Sequence, residues 1–318
     1  MPDGGDGAAL SHIERPRFAR AFSRTLHCFF MPIRRRFSVP LPGGASLALG
    51  ERVLVMGVVN VTPDSFSDGG RYFDPAKAIE AGVGMVEEGA DLIDIGGEST
   101  RPGADPLDEA EEQRRVLPVI EGLAGRVAIP LSVDTYRAST AAAALAAGAV
   151  LVNDVSGLRY EPALAKVVAD HGAAIVLMHT RGRSRQMYDQ ASYHDVIAEV
   201  QDELRESMAF ATTAGIAAER ILLDPGLGFA KAAAHSYEAL ARLDEYADLG
   251  RPLLVGPSRK SFLATALRGS LPASDRDWAT AAAVASAVLS GVHIVRVHAV
   301  LEMLQVVRVA DEIRRYHS

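Results

Sequence analysis

The stretch Val53-Leu-Val-Met-Gly-Val-Val59 runs straight into Asn60-Val-Thr-Pro-Asp64-Ser-Phe66-Ser-Asp68-Gly-Gly70. Its first part is apolar and long enough for one buried strand; its second is dense in turn formers and polar groups and reads as a loop leaving the strand's C-terminal end. Working outward, the same grammar returns along the chain. Apolar runs at Leu92-Ile-Asp94-Ile95, Leu131-Ser-Val-Asp134-Thr135, Val150-Leu-Val152-Asn153-Asp154, Ala174-Ile-Val-Leu-Met178-His179, Ile221-Leu-Leu223-Asp224, Leu253-Leu-Val255 and His293-Ile-Val295-Arg296-Val297-His298 each turn polar or charged at their end or in the loop just beyond it, with amphipathic helices between them. Eight strand and helix units of this kind predict an α/β fold, a (β/α)8 TIM barrel, with its site at the rim where the strands end.

A length of 318 residues suits one such barrel with additions. Hydrophobic content of 48% with 23% charged residues excludes a disordered chain. A formal net charge of −7 gives no reason to expect nucleic acid, whose phosphates demand basic patches, so any anion must be met by locally placed cations. Cys28 is the only cysteine, which rules out an intrachain disulfide and fits a reducing compartment. Apolar runs stop short of the roughly 18 residues that a membrane span needs. The expectation is a cytoplasmic protein with small-molecule substrates and neither a membrane nor a nucleic-acid partner. Residues 1–36 differ from the rest, with seven arginines between Arg15 and Arg36 among Phe18, Phe22, Phe29 and Phe30. They are expected as a poorly ordered N-terminal extension outside the barrel, leaving 37–318 as the barrel domain. Residues 37–49, with Pro40, Pro42 and the Gly43-Gly44 pair, predict a short hairpin capping the barrel floor.

The strand ends collect Asn60, residues 94–98, Asp134, Asn153 with Asp154, His179, Asp224, residues 258–260, and Arg296 with His298. A single aspartate at a strand end is often a helix N-cap; polar ends all round one rim are a site. Hydrogen-bond inventories divide the labour. Carboxylates only accept, so Asp134 and Asp224 suit a ligand edge of adjacent N–H donors, Asn153 donates and accepts, and Lys260 donates to a ring carbonyl. That set complements a planar 2-amino-4-oxo heterocycle. Arg101, Arg259, Arg296 and His298 form a second, cationic set suited to phosphate or carboxylate oxygens. Asn60, next to a loop with Asp64 and Asp68, suits Mg2+ bridging a protein oxygen and a diphosphate. It equally suits an asparagine that fixes its own loop.

These motifs resemble dihydropteroate synthase, the folate-pathway enzyme and sulfonamide target. Met56-Gly-Val-Val-Asn60-Val-Thr-Pro-Asp-Ser-Phe-Ser-Asp-Gly-Gly70 is similar to that family's first loop, and Asp94-Ile-Gly-Gly-Glu-Ser-Thr-Arg-Pro-Gly103 to its second. Ser132-Val-Asp134-Thr, Val152-Asn153-Asp154, Leu177-Met-His179, Leu223-Asp-Pro-Gly226, Gly256-Pro-Ser-Arg-Lys-Ser261 and Val295-Arg-Val-His298 follow in the same order. The resemblance implies a TIM-barrel transferase in which 6-hydroxymethyl-7,8-dihydropterin diphosphate and 4-aminobenzoate condense to 7,8-dihydropteroate and diphosphate. It implies that Asp134, Asn153, Asp224 and Lys260 hold the pterin, and that Arg296 and His298, with Thr100, hold the diphosphate. Asn60 would reach Mg2+, and Asp64 would face the cation left as diphosphate departs. Arg101, Pro102, Phe229 and Ser258 would line the 4-aminobenzoate pocket. Asp64, Lys260, Arg296 and His298 would act in catalysis, and a homodimer through the final helices is expected.

The chain departs from the family pattern at Thr180 and Arg181, where methionine and then lysine or glutamine often stand, at Ala230 in place of a glycine, and at Ala299 in place of an aspartate. Rival readings are a pterin-dependent methyltransferase, which has no diphosphate to bind, and a non-catalytic or weakened pterin-binding paralogue, favoured by Ala230 and Ala299.

Overall fold

Every predicted apolar run forms a strand, and the alternation of side chains along it decides which residues reach the site. The computed structural model describes residues 33–62, 74–99, 103, 107–183, 187–267 and 271–316. An antiparallel hairpin of β1 (Phe37–Pro40) and β2 (Ser46–Leu49) comes first. Eight parallel strands follow: β3 (Leu54–Asn60), β4 (Leu92–Gly96), β5 (Leu131–Asp134), β6 (Leu151–Asp154), β7 (Ala174–Met178), β8 (Ile221–Asp224), β9 (Leu254–Val255) and β10 (Ile294–Val297). β3 to β8 pair in chain order and β10 lies between β3 and β9. A bridge between Leu223 and Leu253 brings β8 to β9 and closes the ring.

The connecting helices are α1 (Pro75–Glu87), α2 (Glu109–Ala124), α3 (Ala138–Ala146), α4 (Leu164–His171), α5 (Val196–Thr213), α6 (Ala233–Ala241), α7 (Ser261–Ala264), α8 (Asp277–Leu289) and α9 (Val300–Arg315). This is the (β/α)8 barrel that the sequence predicts. Asp74 caps α1 by accepting from the Ala76 amide at 3.0 Å, with Pro75 in the first turn. α5 starts at Val196 and not at the apolar Tyr193 before it. Asp195 accepts from the amides of Ile197 and Ala198 at 3.0 and 3.1 Å, which fixes the N-cap there and leaves Tyr193 in the preceding loop.

Two layers of apolar packing follow from the strand period. Val55, Ile93, Val133, Val152, Ile175, Leu223 and Val295 pack with the helices. Leu54, Met56, Leu92, Leu151, Val176, Leu222, Leu254 and Ile294 pack instead with one another and with Val39, Leu41, Leu47 and Leu49 of the hairpin. Strands from all round a closed ring meet only in its interior, so the hairpin plugs the barrel floor. Each leucine buried in this way contributes roughly 1.5–3 kcal/mol.

Two carboxylates grip the start of β3. Asp311 accepts from the Val53 amide at 2.8 Å, and Asp91 accepts from the Val55 amide at 2.9 Å. Each is met by an arginine: Arg52 forks onto Asp91, and Arg34 reaches Asp311 at 2.7 Å and the Val288 carbonyl at 3.3 Å. Of the stretch expected as an extension, residues 33–36 are described and residues 1–32 lie outside the described residues. Among the described residues no helix is long and apolar enough to cross a membrane.

Arg34 and Asp311 are largely buried, so Arg34→Ala strips a carboxylate of its cation in a poorly solvated place. The expected cost is about 3 kcal/mol, seen as a lower midpoint of thermal unfolding. Removal of residues 1–36 takes this pair away and should lower the midpoint at least as far as Arg34→Ala does.

Candidate active site

The inner layer of leucines continues upward into polar residues of the same parity. On β4, Leu92 is followed two residues on by Asp94; on β6, Leu151 by Asn153; on β8, Leu222 by Asp224; on β10, Ile294 by Arg296. On β5 the inward face carries Ser132 and then Asp134, and on β3 it ends at Asn60. Asp154 and His179 have the opposite parity. Asp154 turns away to fix its own loop, accepting from the Ser156 amide at 2.8 Å, the Ser156 hydroxyl at 2.7 Å and the Leu158 amide. Burial raises its carboxyl to about 6.

A shared guanidinium lies at the centre. Arg296 donates from Nε to Asp94 Oδ2 at 2.6 Å and from Nη2 to Asp134 Oδ2 at 2.7 Å. The same Asp94 oxygen accepts from Asn153 Nδ2 at 2.8 Å, while Asp94 Oδ1 is buried without a partner among the described residues. Because a carboxylate only accepts, Asp94 sets which way the Asn153 amide faces. Gly96 makes room: a Cβ there would lie 3.2 Å from Asp134 Cβ. Burial raises the Asp134 carboxyl to about 7, with Arg296 opposing the shift and Asp94 adding to it.

The other half of the mouth is built by β8, β9 and β10. Asp224 Oδ1 accepts from the Gly226 amide at 2.7 Å; burial raises its carboxyl and Lys260 opposes the rise. Burial lowers the Lys260 ammonium to about 8, against the pull of Asp224. Lys260 Nζ lies 4.1 Å from the centre of the Phe229 ring and donates to the Leu227 carbonyl. Ser258 Oγ lies 2.9 Å from His298 Nδ1, and His298 Nε2 lies 3.2 Å from Asn60 Nδ2. A donating Asn60 amide leaves Nδ1 as the protonated ring nitrogen, directed at Ser258.

The structure therefore brings Asp134, Asn153, Asp224, Lys260 and Arg296 to one mouth, and Asn60, Ser258 and His298 into one hydrogen-bonded row. Asp64, Thr100, Arg101 and Pro102 lie outside the described residues. Arg259, grouped by sequence with the anion-binding cations, forks instead onto Asp277 at the start of α8, with both contacts at 2.8 Å. Of the strand-end residues that sequence reasoning left without a role, Asp94 is the one bonded to Arg296 at the mouth. Its signal was its parity with Leu92 inside an otherwise apolar strand.

The departures have local consequences. Arg181 bonds Glu203 at 2.7 Å and Glu199 at 2.8 Å, both on α5. Ala299 occupies the N-cap of α9 and offers no side chain to the first turn. Ala230 is buried with a φ of 47°, a left-handed conformation that glycine adopts without strain and alanine does not.

Comparison with known proteins places these features in context. Residues 56–298 match the family of pterin binding enzymes. A dihydropteroate synthase of Synechocystis sp. is 46% identical over 280 residues, covering 88% of this chain and 96% of its own. A Xanthomonas albilineans dihydropteroate synthase solved with 4-aminobenzoic acid superimposes with a TM-score of 0.80 at 43% identity, covering 87% of this chain and 98% of its own. A Yersinia pestis dihydropteroate synthase in a sulfonamide complex gives a TM-score of 0.81 at 40% identity, covering 88% and 100%.

Ala230→Gly should relieve the left-handed alanine and stabilise the protein by about 1 kcal/mol, measured by denaturant unfolding. The pH dependence of binding follows from Asp134, whose raised carboxyl is protonated below about 7 and ionised above it. A protonated carboxyl no longer serves as a pure acceptor. Affinity for a ligand that presents N–H donors should therefore fall as pH drops from 8 to 6, read by calorimetric titration.

Proposed function

The chain belongs to the dihydropteroate synthase family of pterin-binding enzymes, and from that premise we propose that it condenses 6-hydroxymethyl-7,8-dihydropterin diphosphate with 4-aminobenzoate. The products are 7,8-dihydropteroate and diphosphate, and the enzyme is a transferase. The observation that supports this best is the inward row of Asp134, Asn153 and Asp224 facing one mouth with Lys260, an acceptor-rich wall beside one donor. A 2-amino-4-oxo pterin edge offers N–H groups to the first three and a carbonyl to the lysine.

In this reading the methylene C–O bond breaks and diphosphate leaves with the electron pair. The amine nitrogen of 4-aminobenzoate forms the new C–N bond and gives up one proton. Positive charge develops on the pterin methylene beside the buried carboxylates, which stabilise it without solvent reorganisation. Arg296 and His298, with Thr100, would grip the diphosphate; Asp64 would face the developing cation; Arg101, Pro102, Phe229 and Ser258 would hold 4-aminobenzoate. No covalent enzyme intermediate is needed.

Asn60 would hold Mg2+ through its side-chain oxygen, because its amide nitrogen is turned toward His298. Among the described residues no group of three or more His, Cys, Asp or Glu is arranged for a metal. Bound there, Mg2+ would neutralise part of the diphosphate charge. We place the enzyme in the cytoplasm as a homodimer joined through α8 and α9, whose side chains include the exposed Trp278 and Val309.

The purified protein should form dihydropteroate from the two substrates, followed by chromatography, and its failure to do so would overturn the reading. Asp224→Asn places an amide donor against the ligand's N–H edge. Loss of a charge-assisted bond of about 1.5–3 kcal/mol should weaken pterin binding at least tenfold by calorimetry. Unchanged affinity would remove Asp224 from the pterin site.

A further inference from the structure

Lys231 is a fully buried lysine that the reaction above does not use. It follows Ala230 in the loop from β8 to α6, and its Nζ lies 2.8 Å from His179 Nδ1 and 3.2 Å from the Phe229 carbonyl. His179, buried at the end of β7, donates its backbone amide to the Asp224 carbonyl at 2.9 Å, so it is tied to the catalytic strand as well. Burial, with Lys231 beside it, lowers the imidazole to about 3 and keeps it neutral. Nδ1 is then the acceptor for the lysine, and Nε2 carries the proton 3.2 Å from Glu203 Oε2 on α5. Glu203 is in turn fixed by Arg159 at 2.6 Å and Arg181 at 2.7 Å.

The same loop is held at its next carbonyl, where Tyr193 donates to Ala230 at 2.9 Å. It presses on His179 from the front: Gly226, at φ +70°, has no room for a Cβ, which would fall on the His179 carbonyl. On its outer side this loop presents the Phe229 ring and the Leu227 carbonyl to Lys260. A lysine Nζ stripped of water and aimed at the carbonyl of a substrate-facing residue fixes that residue's backbone, because a carbonyl left without its donor away from water is unfavourable.

We propose that Lys231 and His179 form a buried pair of positioning residues that hold Phe229 in place for the second substrate. The proposal rests on the reading that Phe229 lines the 4-aminobenzoate pocket. The pair supports the wall from behind and touches neither reactant, so its loss acts on KM for 4-aminobenzoate more than on kcat or on pterin affinity.

Lys231→Met keeps the length of the side chain and removes the donor. KM for 4-aminobenzoate should rise about tenfold, with kcat changed less than about threefold and the pterin dissociation constant unchanged. His179→Leu should reproduce this. His179→Asn, whose Oδ1 can stand where Nδ1 accepts, should keep KM within about twofold of the wild type. An unchanged KM in folded Lys231→Met, or equal losses for both substrates, would overturn the proposal. Amide hydrogen exchange over residues 226–232 gives a readout independent of turnover: it should quicken in Lys231→Met and His179→Leu and not in His179→Asn. If the wild type fails to use 4-aminobenzoate, the functional reading falls, while the exchange result still decides whether the pair holds the loop.

Discussion

One guanidinium shared between two buried carboxylates organises the site. Arg296 cannot serve Asp94 and Asp134 together unless β4, β5 and β10 hold their ends in one register, and Asn153 takes its orientation from the same Asp94 oxygen. Desolvating such a cluster is expensive, and in a simple core an apolar replacement is often as stable. Here the cluster fixes the direction of Asp134 and of the Asn153 amide at the mouth, which an apolar replacement would not do. Among the described residues Asp94 Oδ1 has no hydrogen-bond partner, and burial raises the Asp134 carboxyl, so the cluster is held under electrostatic tension.

That tension is tolerable because everything beneath it is tightly determined. The hairpin fills the lower barrel with Val39, Leu41, Leu47 and Leu49, and the carboxylates of Asp91 and Asp311 hold the first amides of β3. Polar groups stand on strands whose lower halves are packed against one another from every side. The loop after β8 is fixed by side chains instead of by strand pairing, through Lys231 and Tyr193.

The barrel was legible in the sequence because strand and loop alternate in residue type, and Asp134, Asn153, Asp224 and Arg296 were legible because each interrupts or ends an apolar run. Asp94 was named among the strand-end residues yet given no part, since reading ends of strands hides what reading their faces reveals. Pairings across long separations left no local trace. Nothing near Arg34 points to Asp311, and nothing near Arg259 points to Asp277. Ala230 was visible as a departure from a family pattern, but its left-handed backbone is a property of the folded loop. The late start of α5 was written in Asp195, whose capping role competes with the apolar Tyr193 before it.

The plugged floor makes the barrel a well with a single opening. Asp94, Asp134, Asn153, Asp224 and Arg296 stand on the strands above that plug, so the polar groups face the rim and the floor offers only packed apolar side chains. The hairpin, which carries none of these polar groups, is what leaves a single end of the barrel to chemistry.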